Sequence, residues 1–526
     1  MPKKFNITGL CLPARHYMAD ISEKLAQVLA LVEEGEYFAI SRPRQYGKTT
    51  MLWAVASALR QTGRYLVFNI SFEGLGSAVF SSEQQFSQAF LELLRDQMSD
   101  MDNEPLAAFL DEASRQVETM KDLSRQITAL AHQTGQEIVL LIDEVDKSSD
   151  NQKFLDFLGV LRNKYLRRHL RTEQTFHSVV LAGVHDVKTL KAKLRADEEA
   201  KQNSPWNIAA EFKVTMSLLP HEIVPMLEDY ARERGVALDA LALAERLYYY
   251  TSGYPFLVSA LCKIVEEELL PERADKNWHV GDIDEAARRL IHSTRSNTNF
   301  DSLIKNLENH PKLYELVYSI LLEGKMIPYN IHHPGIGLGV LFGILRNGEG
   351  LNIHNRIYAE VIYNYMSVKA LTELERAEDY TLQARYLLPG NALDMELVLR
   401  SFQQYMRQEH SAKDRDFLER HGRLVFLAFL NPILNGKGHT FKEPQISEER
   451  RLDVAVTFQQ HRYVVELKIW RGPKAHEEGL KQLADYLGRQ DLAEGYLVIF
   501  DPRAKEKSWA QEWIEVAGKK VFAVWV

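Results

Sequence analysis

The sequence predicts an α/β protein, with a parallel sheet in its first part and a second α/β unit at its C-terminal end. Three observations predict this class. Short apolar runs alternate with helical patterns up to about residue 186, two motifs with glycine or acidic residues directly follow such runs, and a new strand-rich pattern starts near residue 413. Alternating strands and helices favour a parallel sheet with helices on both faces.

Length and composition limit the class of protein. A chain of 526 residues predicts three or four domains, and its 45% hydrophobic and 26% charged residues are typical of soluble globular proteins. The net charge of -8 gives no overall basic signature of a nucleic-acid binder. Cys11 and Cys262 are too few for a thiolate metal cluster and favour a reducing compartment. We therefore expect a cytoplasmic protein without a membrane span or a secretory signal.

The first part of the chain contains the elements of the predicted parallel sheet. The run of apolar residues from Ile138 to Ile142 is typical of a strand that is buried on both faces. Helical spacing of apolar residues predicts helices between the strands, and Gly63 is a stop signal for one of them. The predicted strands cover 37–41, 65–72, 137–146 and 178–186.

The rest of the chain changes pattern three times. Residues 217–298 show helical spacing alone, and residues 311–366 predict a helix, a hairpin with an Asn-Gly turn and another helix, as in a winged-helix domain. The last part predicts a helix at 414–430, strands at 452–458 and 462–470, a helix at 475–489, and two further strands. The predicted domains are 1–216 (α/β core), 217–300 (helical subdomain), 301–368 (winged helix), 369–412 (helical connector) and 413–526 (C-terminal α/β domain).

The stretch "RPRQYGKTT", which begins at Arg42, follows the first predicted strand and precedes a helix. It ends like a phosphate-binding loop, although Arg42 stands where the usual pattern has its first glycine. Gly47 permits close approach of the backbone to a phosphate, Lys48 adds a positive charge, and the hydroxyl of Thr49 can bind Mg2+. Arg42 and Arg44 contact either phosphate or a neighbouring subunit, or they are solvated loop charges.

Asp143 and Glu144 end the apolar strand of "IVLLIDEVD". Ligands of parallel sheets bind at the carboxyl ends of the strands, where one acid can hold Mg2+ and the next can orient a hydrolytic water. The alternative for this acidic motif alone is an N-cap or a solvated acidic turn, and the alternative for the loop alone is a chance Gly-Lys-Thr at the start of a helix. Together the motifs predict ATP and Mg2+ as cofactors, with Glu144 as the catalytic residue, and with Thr49 and Asp143 on the metal. The predicted nucleotide-binding residues are Arg44, Gly47, Lys48, Thr49, Thr50 and Asp143.

Four segments, "SRPRQYGKTT", "LLIDEVD", "VVLAGVHDV" and "TSGYPFLVSALC", resemble AAA-like P-loop ATPases of the signal-transducing and replication-initiator type. The resemblance extends from residue 1 to about 366. It implies a helical lid and a winged helix, and it implies assembly into homo-oligomers. It also implies that Asp186 lies near the sensor strand and that the segment Gly253–Pro255 approaches the nucleotide base.

A second group of residues lies in "RRLDVAVTFQQHRYVVELKIWRG". Asp453 begins one predicted strand, while Glu466 and Lys468 are two apart on the next and therefore share a face. A hairpin would bring Asp453 beside Glu466, and two carboxylates on adjacent strands suit Mg2+. A lysine beside them can position a water and stabilise a phosphorane. The alternative is an ordinary Glu–Lys pair on an exposed sheet face.

This pattern resembles the PD-(D/E)xK nuclease fold over residues 413–526, with Leu452 in the place of the proline of the motif. The resemblance implies that Asp453 and Glu466 bind the metal and that Lys468 is catalytic. It makes Glu419 an auxiliary acid and Gln482 a supporting residue of the following helix. Bacterial ATPases with such a nuclease-like C-terminal domain form a group with suspected links to mobile elements and phage defence.

Three hypotheses for function follow. The first is an ATPase whose nucleotide state regulates a Mg2+-dependent nuclease that acts on DNA or RNA. The second is a nucleotide-dependent switch or scaffold, in which the nuclease-like domain binds nucleic acid or a partner without cleaving it. The third is a DNA-loading or translocating ATPase, which predicts strong stimulation of ATP hydrolysis by nucleic acid.

Overall fold

A computed structural model of the chain provides the secondary structure, the side-chain contacts and the sheet topology. The structure describes residues 2–148, 151–170, 173–184, 208–293, 297–321, 327–348, 350–373, 386–389, 392–409, 425–427, 429–430, 433–434, 438–441, 452–458, 461–470, 472–490, 492–501 and 509–526. The chain divides into two compact units. The first unit contains Met1–Leu303, Leu338–Ile344 and His354–Ile357, and the second contains Ile304–Gly337, Leu345–Ile353 and Tyr358–Val526.

The first unit contains a parallel sheet whose described strands have the order β1-β4-β3-β2. Each strand begins at its predicted residue and ends within three residues of its predicted end. Strand β4 lies between β1 and β3. This order places the residues that follow β1 and β3 at one edge of the sheet, because all the strands run in the same direction. The strands are β1 (Tyr37–Ser41), β2 (Tyr65–Ser71), β3 (Glu137–Asp143) and β4 (Ser178–Gly183).

Helices cover the sheet because its strands are apolar on both faces. Leu140 of β3 packs in a cluster that includes Phe86 and Phe154 from the helices after β2 and β3. Its neighbour Leu141 is also fully buried and, by the alternation of a strand, faces the other side of the sheet. The helices are α1 (Ser22–Glu33), α2 (Lys48–Gln61), α3 (Glu83–Asp100), α4 (Glu104–Gln116), α5 (Met120–Thr134) and α6 (Gln152–His169).

Residues 217–298 form helices and no strand wherever the structure describes them, as the sequence predicts. A buried ion pair joins Lys24 of α1 to Glu222 of the first of these helices. The backbone N–H of Leu219 also donates to Glu222, which satisfies the same carboxylate. The helices are α7 (Pro220–Arg234), α8 (Ala240–Thr251), α9 (Pro255–Ile264), α10 (Val280–Ile291) and α11 (Thr298–Glu308).

A helix and a small antiparallel hairpin follow, as the sequence predicts, but the hairpin does not turn at the predicted Asn-Gly pair. Asn347 and Gly348 belong to strand β5, and Gly348 pairs with Gly350 of β6. In the hairpin Leu345 pairs with Ile353, and both side chains are buried. The described elements are α12 (Pro311–Leu321), α13 (Pro334–Leu341), β5 (Leu345–Gly348), β6 (Gly350–Ile353) and α14 (Arg356–Glu373). None of the described helices combines the length and the apolar character that a membrane span needs.

The C-terminal sheet is mixed, and its described strands have the order β11-β12-β10-β9-β8-β7. Strands β9, β10 and β12 are parallel, whereas β7, β8 and β11 pair antiparallel with their neighbours. Strands β7 and β11 are not predicted by the sequence pattern, and the helix predicted at 414–430 lies mostly outside the described residues. The strands are β7 (Gly438–Phe441), β8 (Leu452–Phe458), β9 (His461–Ile469), β10 (Glu494–Phe500), β11 (Gln511–Val516) and β12 (Lys519–Trp525).

Two helices cover opposite faces of this sheet. Helix α15 (Met395–Glu409) places Phe402 against Phe500 of β10. Helix α16 (Pro473–Arg489) contributes apolar side chains such as Leu483 to a cluster with Ile499, the neighbour of Phe500 on the other face. The C-terminal sheet is therefore the middle layer of an α/β/α structure. Its two central described strands are β10 and β9, and β9 carries Glu466 and Lys468 of the predicted acidic site.

Candidate functional site

The phosphate-binding loop, residues 42–50, connects β1 to α2. Gly47 has φ = 80° and caps the N-terminus of α2, which begins at Lys48. This left-handed conformation suits glycine, because it has no Cβ to strain. Unpaired N–H groups at the start of a helix form a binding site for anions such as phosphate. The loop thus has the geometry of a phosphate cradle, although Arg42 replaces the usual first glycine.

The ammonium group of Lys48 lies within this loop. Its Nζ donates to the carbonyl oxygens of Arg42 (2.9 Å) and Pro43 (2.8 Å). Burial lowers the pKa of Lys48, while the carboxylates of Asp146, Glu144 and Asp143 raise it. The Lys48 side chain is therefore buried within the loop, close enough to the acids at the end of β3 and just after it to interact with their charges.

Thr49 and Asp143 meet across the sheet edge. The Thr49 hydroxyl donates to Asp143 Oδ2 over 2.6 Å, and the Asp143 carboxylate is buried. The contact joins the first turn of α2 to the last residue of β3, as the strand order requires. A hydroxyl and a carboxylate oxygen at this separation are hard ligands that suit Mg2+.

Glu144 follows Asp143 in a left-handed backbone conformation with φ = 55°. Such a conformation is uncommon for a residue other than glycine, and its backbone N–H donates to Asp143 Oδ1 over 2.9 Å, which fixes the turn. Burial raises the pKa of Glu144, the negative charge of Asp143 raises it further, and Lys48 opposes both. The glutamate is therefore a half-buried carboxylate with raised basicity, beside the residues that would hold phosphate.

Asp146 is a third acid of this site that the sequence reasoning did not single out. Its carboxylate accepts a hydrogen bond from the backbone N–H of Val184, just beyond β4. Gly183 permits this contact, since a Cβ at that position would lie 2.9 Å from Asp146 Oδ1. The sequence signal that could have identified Asp146 was its place in "DEVD", three residues after Asp143. Asp146 joins the segment after β3 to the end of β4.

The other polar residues of the loop have different surroundings. Arg42 turns inward, donating to the carbonyl oxygens of Ser41 and Val214 at 2.8 Å each, and its guanidinium lies 5.2 Å from the centroid of the Phe212 ring. Burial lowers the pKa of Arg42. Arg44 is exposed. The Thr50 hydroxyl accepts from the backbone N–H of Cys11 over 3.2 Å and so anchors the N-terminal segment.

Aromatic side chains from distant segments of the first unit enclose the loop. The Tyr254 hydroxyl donates to the carbonyl of Arg44 over 2.5 Å, and the Tyr254 ring packs edge-on against Tyr46. The Tyr46 hydroxyl is 2.6 Å from Ser217 Oγ and 3.1 Å from His354 Nε2. The segment Gly253–Pro255 therefore reaches the loop, whereas Asp186 lies outside the described residues.

The C-terminal acidic site lies on β8 and β9. Asp453 is directly opposite Glu466 in the antiparallel register. Glu466 is buried, with 2% of its surface exposed, and Lys468 Nζ is 3.0 Å from Glu466 Oε1. The side chain of Asp453 and the whole of Glu419 lie outside the described residues. Gln482 is on α16, the helix that covers this face, and is half-buried.

Among the described residues, no three His, Cys, Asp or Glu side chains are grouped so that they could hold a metal ion. Mg2+ does not require such a group, because it keeps several waters and is bound by one or two carboxylates together with phosphate oxygens.

Comparison with known protein families gives a match over the first part of the chain. A family model described as the AAA-like domain matches residues 12–325. This region includes the phosphate-binding loop, the acids after β3 and the helices of residues 217–298. No curated protein matches the chain.

Comparison with solved structures gives matches that include the following three proteins. The Walker-type ATPase PABY2304 of Pyrococcus abyssi is 13% identical with a TM-score of 0.46, over 68% of this chain and 99% of that chain. The ORC2 protein of Aeropyrum pernix, in its ADPNP–ADP complexes, is 14% identical with a TM-score of 0.41, over 70% and 98%. The RuvB Holliday junction branch migration motor of Thermotoga maritima is 16% identical with a TM-score of 0.33, over 68% and 95%. At these identities the likenesses say nothing about function.

Proposed function

This chain belongs to the AAA-like domain family, and from that premise we propose that it binds and hydrolyses ATP and that its nucleotide state regulates Mg2+-dependent cleavage of DNA or RNA by the C-terminal domain. The observation that carries the ATPase part is the hydrogen bond of 2.6 Å between the Thr49 hydroxyl and Asp143 Oδ2. It brings the two halves of a phosphate and Mg2+ site together, beside Lys48 and Glu144.

Each residue of the ATP site has a proposed role. Thr49 and Asp143 hold Mg2+, which when bound supplies positive charge for the β- and γ-phosphate oxygens. Gly47 lets the loop backbone approach the phosphates, and Lys48 exchanges its bonds to loop carbonyls for bonds to phosphate oxygens. Glu144 orients the attacking water and accepts its proton, a role that its raised pKa favours.

Two further residues complete the proposed nucleotide site. Arg44, which is exposed at the shoulder of the loop, adds positive charge toward the phosphates or toward a neighbouring subunit. Thr50 contributes its backbone N–H in the first turn of α2, because its hydroxyl is already bonded to the N-terminal segment.

Two substitutions test the ATPase. We expect Lys48→Ala to abolish ATP hydrolysis, because the phosphates lose their main cation. Glu144→Gln should lower kcat by about a hundredfold or more while ATP binding is retained, because the amide keeps the shape but cannot accept a proton. Lys121→Ala, at an exposed position of α5, is the matched control. Hydrolysis by Lys48→Ala at the wild-type rate would refute the assignment.

The proposed nuclease site is supported by three features of the second unit. Asp453 and Glu466 are opposite each other on antiparallel strands, the glutamate is buried, and Lys468 forms an ion pair with it over 3.0 Å. A buried carboxylate is costly unless it is paired or binds a metal. Asp453 and Glu466 would hold Mg2+, which when bound supplies a Lewis acid for the scissile phosphate. Lys468 positions the attacking water, while Glu419 and Gln482 support the site.

A cleavage panel tests the nuclease proposal. Purified protein is incubated with Mg2+ and single- or double-stranded DNA or RNA, with and without ATP. We expect cleavage that depends on nucleotide and that is lost in Asp453→Ala and Lys468→Ala, but retained in Lys481→Ala, an exposed lysine of α16. Binding without cleavage would favour the switch or scaffold instead, and cleavage that all variants retain would identify a contaminating enzyme.

A role in phage defence or mobile-element biology belongs to the same proposal, since a nuclease controlled by ATP can be held inactive until it is triggered. Cells that carry the wild-type chain should restrict phage growth, and cells with Lys48→Ala or Lys468→Ala should not. Sedimentation of the purified protein with and without ATP would test the proposed homo-oligomer.

A further inference from the structure

Gly479 lies in the interior of α16, directly above Lys468 of β9. A Cβ at position 479 would be 2.9 Å from Cε and 3.1 Å from Cδ of Lys468, and closer still to Nζ. Real Cβ atoms essentially never approach another heavy atom within 3.0 Å. The lysine side chain therefore occupies the space that any residue other than glycine would need.

A second glycine in the same helix shows the contrast. Gly488 is also in α16, but a Cβ there would meet nothing within 4 Å. Glycine in a helix interior is unfavourable compared with alanine, because it loses more conformational freedom on folding. The contact with Lys468 explains why position 479 has no side chain, whereas no neighbouring atom requires a glycine at position 488.

Lys468 is held from two sides. Its Nζ is 3.0 Å from Oε1 of Glu466, and its side chain is only 23% exposed. On the other side it lies against the backbone of α16 at Gly479. A lysine has a long and flexible side chain, so a Cβ at 479 would displace the ammonium group at little cost to the packing of the sheet and the helices.

We propose that Gly479 is a positioning residue for Lys468: the missing side chain lets the ammonium group lie between α16 and Glu466, at the acidic site of β8 and β9. The inference rests on the proposed nuclease function for its catalytic consequence, but the contact between Gly479 and Lys468 does not depend on it. A merely structural glycine would affect stability without acting through Lys468.

Melting temperatures of the full-length protein test the contact without any need for activity. Gly479→Ala is made in the wild-type chain and in Lys468→Ala, and Gly488→Ala is made in the same two chains. We expect Gly479→Ala to raise Tm more in the Lys468→Ala chain, where no lysine has to move, whereas the effect of Gly488→Ala is the same in both. Equal Tm shifts for Gly479→Ala in both chains would overturn the inference.

Cleavage assays test the catalytic consequence. In Gly479→Ala we expect kcat to fall by about a hundredfold with KM nearly unchanged, since displacement of a catalytic group by an ångström has an effect of this size. Gly488→Ala should cleave like the wild type. Wild-type kcat in Gly479→Ala would overturn the positioning role. If the wild type cleaves nothing but the Tm shifts still depend on Lys468, the proposed activity fails and the contact stands.

Discussion

Arg42 and Arg44 stand two positions apart in the phosphate-binding loop, yet they have opposite environments. Arg42 donates to Ser41 and Val214 and packs over Phe212, so its guanidinium group binds residues of the first unit. Arg44 is exposed. The sequence left both open as phosphate contacts, subunit contacts or solvated charges, because Val214, which accepts a hydrogen bond from Arg42, lies 172 residues away in the chain. The replacement of the usual glycine by Arg42 is therefore compatible with the loop, since its side chain points away from the cradle.

Substitution of these two arginines should separate stability from binding. We expect Arg42→Ala to destabilise the protein by about 2 kcal/mol, because hydrogen bonds of a charged group are lost and two carbonyl oxygens lose a donor. Arg44→Ala should change stability by less than about 0.5 kcal/mol. Arg44→Ala should also weaken ATP binding severalfold if Arg44 faces the phosphates. Urea denaturation and nucleotide titration measure both effects. An Arg42→Ala protein of wild-type stability would contradict this account.

Strand β2 lies at one edge of the sheet, and the side chain of a helix residue forms hydrogen bonds there that a neighbouring strand would otherwise form. Gln97 of α3 accepts from the backbone N–H of Asn69 over 2.8 Å and donates to the Asn69 carbonyl over 3.3 Å. Arg60 donates to the carbonyl of Val67 over 3.0 Å. An unpaired sheet edge can pair with another chain and so promotes aggregation. The amide of Gln97 blocks that edge by imitating the backbone of a strand.

We expect Gln97→Ala to destabilise the protein by about 1–2 kcal/mol, because the half-buried backbone N–H and carbonyl of Asn69 lose their partners. The same change should increase aggregation on mild heating, which light scattering detects. Gln84→Ala, at an exposed position of the same helix, is the matched control and should do neither. If both variants aggregate alike, the amide has no protective role.

The elements of the fold were predictable to different degrees. Strand β3 is buried on both faces, so its apolar run was an unambiguous signal, and it begins at Glu137 as predicted. Strand β11 was missed because it is an edge strand in which exposed polar residues, such as Glu512 and Glu515, interrupt a short apolar pattern. Its position is set by pairing with β12, which no local pattern encodes.

At the scale of the whole molecule, the first unit is assembled from separate stretches of the chain. The segments Leu338–Ile344 and His354–Ile357 belong to it. His354 Nε2 is 3.1 Å from the Tyr46 hydroxyl, 308 residues away, and a Cβ at Gly343 would lie 3.0 Å from Cβ of Pro43. Local spacing predicted the chemistry of Lys48, Thr49 and Asp143, but it could not predict contacts between segments so far apart.

The composition of the first unit leads to a prediction for shortened chains. A fragment of residues 1–373 should bind ATP like the full-length protein. A fragment of residues 1–303 should bind about tenfold more weakly, because the loop loses its contacts with Gly343 and His354. Nucleotide titration of both fragments measures this, and equal affinities would contradict it. In the full-length chain His354→Ala should also weaken ATP binding, which separates loss of the contact from poor folding of a fragment.

Strand β12 lies between β10 and β11, although it follows both in the chain. During synthesis the ribosome therefore releases β11 before the strand that connects it to the sheet exists. Apolar segments exposed at such a stage are sites of misassembly. Gln511, Glu512 and Glu515 of β11 are exposed and polar, although Trp513 is also 42% exposed. The hairpin turn at Ala517 and Gly518, both with positive φ, brings β12 back alongside β11. The charged residues that made β11 hard to recognise thus oppose its misassembly until β12 is available.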